Sequence, residues 1–275
     1  MSGWKKPLKK IQLGYLFQRV NRFLYVGAAN RRLYKKYGVA DGRLYPAPYA
    51  VDNERFAQQA DALRPQRGNL RRQLGIPDNA FCILFCGKFV PKKRPMDIIL
   101  AAQQLIASGS LPNVHLLFVG AGVLGPQLRK SCNVVFDADA PSDTAPATTA
   151  SEFAPPASFV GFLNQTELSR AYVAADCLIL PSDHRETWGL VVNEALASGL
   201  TCIASDACGC TEDLLGDQGS FPVGDVQAIA SKLLHIATDK FNDKQPPEIH
   251  ETVSAVVRAY GDTLLSKLSG RTSAS

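Results

Sequence analysis

Two carboxylates and a glycine lie close together in the segment Pro181–Gly199. Glu186 precedes Gly189, and Glu194 follows Glu186 by eight residues. Carboxylates accept hydrogen bonds from hydroxyls, and a glycine lets backbone come close to a ligand. If a helix begins at Gly189, its first N–H groups and its dipole favour an anion there. The segment therefore suits a ligand with hydroxyls at both ends and an anion between them, as in a nucleotide sugar.

A second candidate segment is basic and contains Gly87, Lys88, Lys92, Lys93 and Arg94. It follows a predicted strand and precedes a predicted helix. Ligands of open α/β sheets bind beyond the carboxyl ends of the strands, so these cations are expected to face that crevice. Several positive charges on one loop suit a diphosphate. A solvated basic loop is the alternative interpretation.

A third candidate is the glycine pattern Gly120-Ala-Gly122-Val-Leu-Gly125, which follows a predicted strand. With Asp137 further along the chain it matches the outline of a dinucleotide-binding turn. In such a turn pyrophosphate approaches backbone N–H groups while the acid accepts from ribose hydroxyls. The pattern is weak here because Pro126 leaves only a short helix. A plain glycine turn facing the same cleft is the alternative.

The elements that must position these residues are visible from residue 80 onward, where short apolar runs alternate with segments of helical period. Such strands, apolar throughout and separated by helices, predict a doubly wound parallel sheet, Rossmann-like, with helices on both faces. The predicted strands are Cys82–Cys86, Val114–Val119, Ser158–Val160, Cys177–Leu180, Thr201–Ala204 and Ser220–Val223. The predicted helices are Pro95–Ala107, Gly125–Ser131, Gln165–Ala175, Leu190–Ser198 and Asp225–Thr238.

The composition is that of a globular chain: of 275 residues, 46% are hydrophobic and 20% are charged. No apolar stretch approaches the roughly 20 residues of a membrane-spanning helix. The basic amino terminus lacks the apolar core and cleavage site of a secretory signal, so a cytoplasmic protein is expected. The seven cysteines are odd in number and lie mostly in apolar runs. Neither a disulfide framework nor a metal site is therefore expected.

Residues 1–45 carry eleven Lys or Arg and one acid, Asp41, a net charge of +10. Apolar residues recur there at near-helical spacing, as in Ile11 and Tyr15. One interpretation is a solvated helix face that packs on something else. The other is a peripheral contact with an anionic membrane surface through residues 5–43. Nucleic acid is not an expected partner, because no nucleic-acid-binding motif accompanies the charge.

Two segments interrupt the regular pattern. Residues 137–157 consist largely of Ala, Pro, Ser, Thr and Asp, a composition that predicts a flexible surface insertion. Residues 246–275 have helical spacing that ends in polar residues, which predicts a terminal helix and a tail.

Six motifs in fixed order make the chain resemble the carboxyl-terminal, donor-binding half of a retaining GT-B glycosyltransferase of the group 1 (family 4) type. They are Tyr49–Phe56, Phe85–Lys93, Phe118–Gly122, Phe159–Gln165, the segment of Glu186 and Glu194, and Ala204–Gly209. The resemblance implies a donor-binding Rossmann-like domain at 56–245, preceded at 1–55 by a remnant of the acceptor domain and the interdomain crossing. It also implies an amino-terminal-domain partner chain if this chain is a subunit.

The resemblance further implies transfer of a hexose-type sugar, with retention of configuration, from a nucleoside-diphosphate sugar to a glycan or lipid-linked acceptor. Lys88 and Lys93 would hold the diphosphate and Glu186 would contact the transferred sugar, which makes these three the expected catalytic residues. Neither a cofactor nor a metal is implied. The expected donor-binding residues are Gly87, Lys88, Lys93, Gly120, Gly161, Phe162, Leu163, Glu186, Thr187, Trp188, Gly189, Leu190, Val191 and Glu194.

Two other functions remain open at this point. A non-catalytic subunit with the same site would bind a nucleotide sugar without transferring it. An NAD-dependent oxidoreductase would use the glycine turn at Gly120 and bind a nicotinamide cofactor.

Overall fold

The structure, a computed structural model, describes residues 5–139 and 152–238 and, for residues 5–10, the backbone alone. The described chain forms two compact units, residues 5–51 and residues 52–238.

The first unit pairs two short parallel strands with two helices. Its elements are α1 (Lys5–Gln18), β1 (Phe23–Tyr25), α2 (Ala28–Lys36) and β2 (Leu44–Pro46). Phe23 is buried, and its ring lies 5.2 Å from that of Phe17 and 5.0 Å from that of Tyr34. These aromatic contacts form the small core of the unit. The helical spacing of Ile11 and Tyr15 corresponds to the observed helix α1.

The second unit is a seven-stranded, fully parallel sheet in the order β5-β6-β4-β3-β7-β8-β9. The strands are β3 (Phe81–Cys86), β4 (Val114–Val119), β5 (Asn133–Asp137), β6 (Pro156–Gly161), β7 (Cys177–Leu180), β8 (Thr201–Ser205) and β9 (Ser220–Phe221). The helices are α3 (Asn53–Leu63), α4 (Arg67–Gln73), α5 (Met96–Ala107), α6 (Gly125–Lys130), α7 (Leu168–Ala174), α8 (Leu190–Ala197) and α9 (Val226–Thr238). The predicted doubly wound sheet is confirmed.

The sheet is held by apolar side chains on both of its faces. Every residue of β4 is buried, as expected for a strand covered by helices on both sides. On one face the rings of Phe118 and Phe159 stack with their centroids 4.9 Å apart, and Phe89 closes onto both. This cluster fixes the loop after β3, to which Phe89 belongs, against the two neighbouring strands.

The strand order reverses between β3 and β7. From β3 the chain moves outward to β4 and on to the edge strand β5, comes back to β6 between them, and then crosses to the other side of β3 as β7. In open α/β sheets the crevice beyond the carboxyl ends of two such strands is the usual ligand site. The loop that follows β3 carries the cations Lys88, Lys92 and Lys93, and the loop that follows β7 carries Glu186.

Three features differ from the sequence predictions. The strand β5 at the sheet edge and the helices α3 and α4 were not predicted. The insertion predicted for residues 137–157 is wrong at its ends, because Asp137 closes β5 and Pro156 opens β6, where the two strands pair. Residues 140–151 of that segment lie outside the described residues, as do the predicted terminal helix and tail at 246–275.

Candidate active site

The loops after β3 and β7 meet at the switch point through an ion pair. The Lys93 Nζ atom donates to Glu186 Oε2, and the two side chains are only 17% and 15% exposed. The backbone adds a second connection, because the Asp183 N–H donates to the Lys92 carbonyl over 2.8 Å. A cation and a carboxylate that the sequence separates by 93 residues therefore share one wall of the crevice.

Glu194 lies in α8, where a buried phenol holds its carboxylate. The Tyr172 hydroxyl donates to Glu194 Oε2 over 2.7 Å, and Tyr172 itself is 2% exposed. Burial raises the pKa of Glu194, although the hydrogen bond from Tyr172 opposes the rise. Because one oxygen is engaged by Tyr172, the carboxylate has a fixed orientation and keeps Oε1 for a hydroxyl donor.

The charges of Glu194 and of Lys93, in the basic loop, both act on the thiol of Cys86. Cys86 ends β3 and is partly exposed, and burial together with the negative charge of Glu194 raises the pKa of its thiol to about 12. Lys93 acts on the same thiol in the opposite direction. Since such effects require proximity, Glu194 and Lys93 both lie near the carboxyl end of β3. Three of the predicted site residues, namely Lys93, Glu186 and Glu194, are thus brought together.

The turn before α8 depends on Gly189, which has a φ of 110°. A Cβ at this position would lie 2.5 Å from Leu180 Cδ2, so a side chain is excluded by both backbone conformation and space. Within the described chain the N–H groups of Leu190 and Val191 donate to no residue. They stand at the positive end of the helix dipole, where an anion is favoured.

Trp188 contributes to this turn through its backbone rather than its ring. The indole is buried, and its Nε1 donates to Asn193 Oδ1 in α8 over 2.8 Å. The Trp188 carbonyl accepts from the Cys210 N–H over 3.2 Å. The ring therefore fixes the turn to the helix behind it. Asn193 was not among the predicted residues, since nothing in the sequence distinguishes it from other helix positions.

The loops after β4 and β6 form the neighbouring part of the crevice. The Gly120 N–H donates to the Gly161 carbonyl over 2.7 Å, and the Gly87 N–H donates to the Val119 carbonyl over 2.9 Å. A Cβ on Gly120 would lie 2.1 Å from the Gly87 carbonyl oxygen, so the backbones are in direct contact. Gly120 therefore has a packing role between two loops, as the glycine-turn interpretation expects.

The acid expected in a dinucleotide site is engaged elsewhere. Both oxygens of the Asp137 carboxylate accept from the Arg129 guanidinium, one of them over 2.8 Å, and this hydrogen bonding lowers the pKa of Asp137. Arg129 also lies over the ring of Phe159 at 4.6 Å. With α6 only six residues long, the pattern at Gly120 lacks the free acid and the long helix of a dinucleotide site.

The remaining predicted residues lie at the rim or are exposed. Lys88 and Thr187 are exposed, Leu163 is half-buried, and Phe162 is 83% exposed directly after Gly161. Ser182, by contrast, is a residue that the sequence did not predict. It lies just past β7, and its buried hydroxyl has no hydrogen-bond partner among the described residues. Tyr172 was also missed, because a single tyrosine in a helix gives no signal of a partner 22 residues away.

The thiols and acids of the described residues form no cluster of three or more that could hold a metal ion. None of the seven cysteines, all within the described residues, forms a disulfide, and six of them are buried. Within the same residues no helix has the length and apolar character needed to cross a bilayer.

The sequence model of the family described as "Glycosyl transferases group 1" matches residues 66–251. The chain belongs to this family. The match covers all seven strands of the parallel sheet and begins after α3, the helix that precedes them. It therefore includes the loops after β3 and β7 and both Glu186 and Glu194. The resemblance inferred from the six motifs is confirmed at the level of family and fold.

Curated relatives of this group 1 chain are longer proteins. Sulfoquinovosyl transferase SQD2 of Arabidopsis thaliana is 40% identical over 195 residues, which are 69% of this chain and 32% of the relative. A D-inositol 3-phosphate glycosyltransferase of Thermomonospora curvata is 29% identical over 182 residues, 64% of this chain and 38% of the relative. The chain thus spans about a third of the length of these relatives.

Solved structures share the fold of this group 1 chain. The Anabaena protein HepE, in complex with UDP-glucose, superposes with a TM-score of 0.55 at 17% identity over 95% of this chain and 68% of HepE. At this identity the likeness concerns the fold alone.

Proposed function

We propose that the chain binds a nucleoside-diphosphate sugar in the crevice between β3 and β7 and serves as the donor-binding part of a glycosyltransferase. The observation that carries this proposal is the meeting of Lys93 and Glu186 at the switch point. A cation suited to phosphate and a carboxylate suited to hydroxyls are adjacent there, and the two helix N–H groups that have no partner among the described residues follow Glu186 along the chain, in α8. A diphosphate joined to a sugar matches that order of groups.

Lys93 would bind the diphosphate while remaining in contact with Glu186. An ammonium group has three N–H donors, so one can serve the carboxylate while others serve phosphate oxygens. The N–H groups of Leu190 and Val191 would approach the same anion from α8. As the bond to the sugar breaks, negative charge grows on the leaving phosphate, and Lys93 and Lys88 would stabilise that charge.

The two glutamates would bind opposite ends of the donor. Glu194 would accept from the ribose hydroxyls through the oxygen that Tyr172 leaves available. Glu186 would contact the transferred sugar, assisted by the turn from Thr187 to Gly189. The rim formed by Gly161, Phe162 and Leu163 would border the base.

We further propose a hexose-type donor and retention of anomeric configuration, with the leaving phosphate assisting deprotonation of a glycan or lipid-linked acceptor. The UDP-glucose bound by HepE and the sugar transferases among the relatives support this class of donor. Because lysines and helix N–H groups supply the positive charge at the phosphates, the proposed reaction uses neither a metal nor another cofactor. The acceptor side is proposed to come from an amino-terminal domain or a partner chain.

Calorimetric titration with UDP, GDP, ADP and NAD tests the donor site without an acceptor. We expect one nucleoside diphosphate to bind saturably, and its base identifies the donor. Binding of NAD without any affinity for a diphosphate would overturn the proposal in favour of an oxidoreductase. A chain that binds the donor but neither transfers nor hydrolyses the sugar when an acceptor domain is supplied would be a non-catalytic subunit.

A membrane contact is a second candidate function, which concerns residues 5–43. In α1, Ile11, Tyr15 and Leu16 are 70%, 61% and 52% exposed. These apolar side chains occur in a segment with a net charge of +10, which suits an anionic lipid surface. Co-sedimentation with anionic vesicles, absent with neutral vesicles and lost on Ile11→Glu, is expected. Equal sedimentation with both vesicle types would contradict this function.

A further inference from the structure

Arg94 has a backbone conformation that is unusual for its residue type. Its φ of 50° and ψ of 43° place it in the left-handed region, and no other non-glycine residue of the described ranges has a positive φ. A side chain in this region crowds the backbone, so a residue remains there only when its surroundings hold it. Arg94 directly follows Lys93, the cation at the switch point.

The surroundings that hold Arg94 are visible on its guanidinium. The Nε atom donates to Asp97 Oδ2 over 2.6 Å, and the Nη2 atom donates to Asp97 Oδ1 over 3.1 Å. This two-pronged pairing fixes the plane and direction of the side chain as well as its distance. Asp97 is buried in the first turn of α5, and its N–H donates to the Arg94 carbonyl over 3.1 Å.

The same guanidinium also contacts the loop that follows β9, the strand at one edge of the sheet. A Cβ on Gly224, after β9, would lie 2.9 Å from Arg94 Nη2, so Arg94 is in close contact with that backbone. On its other side the turn is closed by two backbone bonds, from the Lys93 N–H to the Val90 carbonyl and from the Arg94 N–H to the Pro91 carbonyl. Lys93 is therefore carried on a turn that is fixed at both ends.

We propose that the Arg94–Asp97 pair is a clamp that positions Lys93 for the donor diphosphate. The clamp holds Arg94 in the left-handed region. If Arg94 relaxed to an ordinary conformation, the direction of the chain between Lys93 and α5 would change, and the ammonium would leave Glu186. The functional meaning of the clamp rests on the proposed donor site, and Arg94 and Asp97 are positioning residues that act through Lys93.

Glycine offers a direct test, because it adopts the left-handed conformation without help from a side chain. In the natural chain Asp97→Asn removes the clamp and should release Lys93. In a chain that carries Arg94→Gly the clamp is no longer needed, so Asp97→Asn should have no further effect on Lys93. A role of Asp97 in general stability alone would not produce this dependence on residue 94.

The measurement is the rate at which acetic anhydride labels Lys93, read by mass spectrometry relative to the exposed Lys88 in the same peptide region. It needs no ligand, so it applies whether or not the donor site is correct. The four chains are the natural one, Asp97→Asn, Arg94→Gly and the double variant, each checked for folding by circular dichroism. Arg94→Gly leaves the buried Asp97 carboxylate without its partner, whereas the double variant has neither backbone strain at residue 94 nor an unpaired charge at residue 97. The double variant therefore keeps the test possible if Asp97→Asn alone does not fold.

We expect Lys93 to be labelled at least about fivefold more slowly than Lys88 in the natural chain, a ratio equivalent to roughly 1 kcal/mol. Asp97→Asn should abolish the difference, and the double variant should restore it. If Asp97→Asn alone does not fold, a folded double variant with slow labelling supports the clamp, and fast labelling in the double variant overturns it. An unchanged rate in Asp97→Asn, or an equally fast rate in the double variant, would also overturn it.

Titration of the same four chains with the preferred nucleoside diphosphate connects the clamp to function. Affinity should fall in Asp97→Asn and return in the double variant. If no chain binds any diphosphate, the proposed donor site fails while the labelling rates still decide the clamp.

Discussion

The Lys93 ammonium contacts the Glu186 carboxylate where the sheet order reverses, which joins the loops that follow β3 and β7. Both side chains are largely withdrawn from water, so their interaction is screened less than that of a surface pair. The carboxylate lowers the cost of holding a lysine in a partly buried crevice. The pair thus keeps the Lys93 cation in position at the proposed donor site.

Lys93→Ala should weaken nucleoside diphosphate binding by about tenfold to a hundredfold, because hydrogen bonds to charged groups contribute roughly 1.5–3 kcal/mol. Nucleoside binding should remain nearly intact, since the lost contact is to phosphate. Lys92→Ala is the matched control, because it removes the neighbouring cation of the same loop. Titration calorimetry of both variants checks this, and equal losses for nucleoside and diphosphate would contradict the role.

Glu194→Gln should raise the stability of the chain at neutral pH. Burial raises the pKa of Glu194 above its unfolded value, so the folded state binds the proton more tightly. The natural chain therefore loses stability as pH rises from the unfolded pKa through the folded one, and the glutamine variant avoids that loss. Thermal melts at pH 3.5 and pH 7.5 should show the variant gaining only at the higher pH.

The same Glu194→Gln substitution should weaken binding of the preferred ribonucleotide by about tenfold, since a charged acceptor for the ribose hydroxyls is replaced by a neutral amide. Its 2′,3′-dideoxy analogue, which lacks the hydroxyls, serves as the control ligand. If both nucleotides lose affinity equally, Glu194 does not bind the ribose.

Gly189→Ala should destabilise the fold by about 2–4 kcal/mol, because it combines a positive φ with a contact of 2.5 Å to Leu180 Cδ2. It should also abolish diphosphate binding by moving the N–H groups of α8. Gly109→Ala is the control, since Gly109, just after the end of α5, has a φ of 67° but nothing within 4 Å of an added Cβ. The control should cost about 1 kcal/mol and retain binding. Similar unfolding free energies for the two variants would refute this account of Gly189.

His115 should make the chain sensitive to acid. The residue is fully buried, its Nε2 lies 2.8 Å from Ser158 Oγ, and burial, aided by the nearby Arg71, lowers its pKa to about 4. Because the folded pKa is depressed, the unfolded state binds the proton first as pH falls, and stability is lost between about pH 6.5 and pH 4.

Urea unfolding of the natural chain and His115→Gln checks this expectation. The natural chain should lose on the order of 3 kcal/mol more than the variant between pH 7 and pH 4, which corresponds to the pKa difference of the histidine. Parallel losses in the two chains would show that other groups dominate the response to acid.

The strands and helices of the sheet were largely predictable because their pattern is local. A strand buried on both faces must be apolar throughout, so β3, β4, β7 and β8 were each predicted within one residue of their observed ends. The helices α5, α8 and α9 were located equally well, because their apolar spacing appears within a single segment. The edge strand β5 was missed, since one side of it is open and its residues are only partly buried.

A site residue could be predicted where its type is chemically active or conformationally special and it lies in the loop after a predicted strand. Glu186, Gly189 and Lys93 fit this description, whereas Tyr172 and Asn193 act through contacts that the sequence does not display. The same limit explains Asp137, which looked like a ribose acceptor but is bound by Arg129. Whether a carboxylate is available depends on which cation the fold places beside it.

The class of fold, the order of the elements and the family-specific motifs could be predicted from the amino-acid sequence, because these depend on residue type and on spacing along the chain. The contact of Lys93 with Glu186, of Tyr172 with Glu194 and of Asp97 with Arg94 is visible only in the folded chain. The physical reason is that a parallel sheet gathers strand ends from distant parts of the chain, and hydrogen bonds form between whichever groups it brings within about 3 Å.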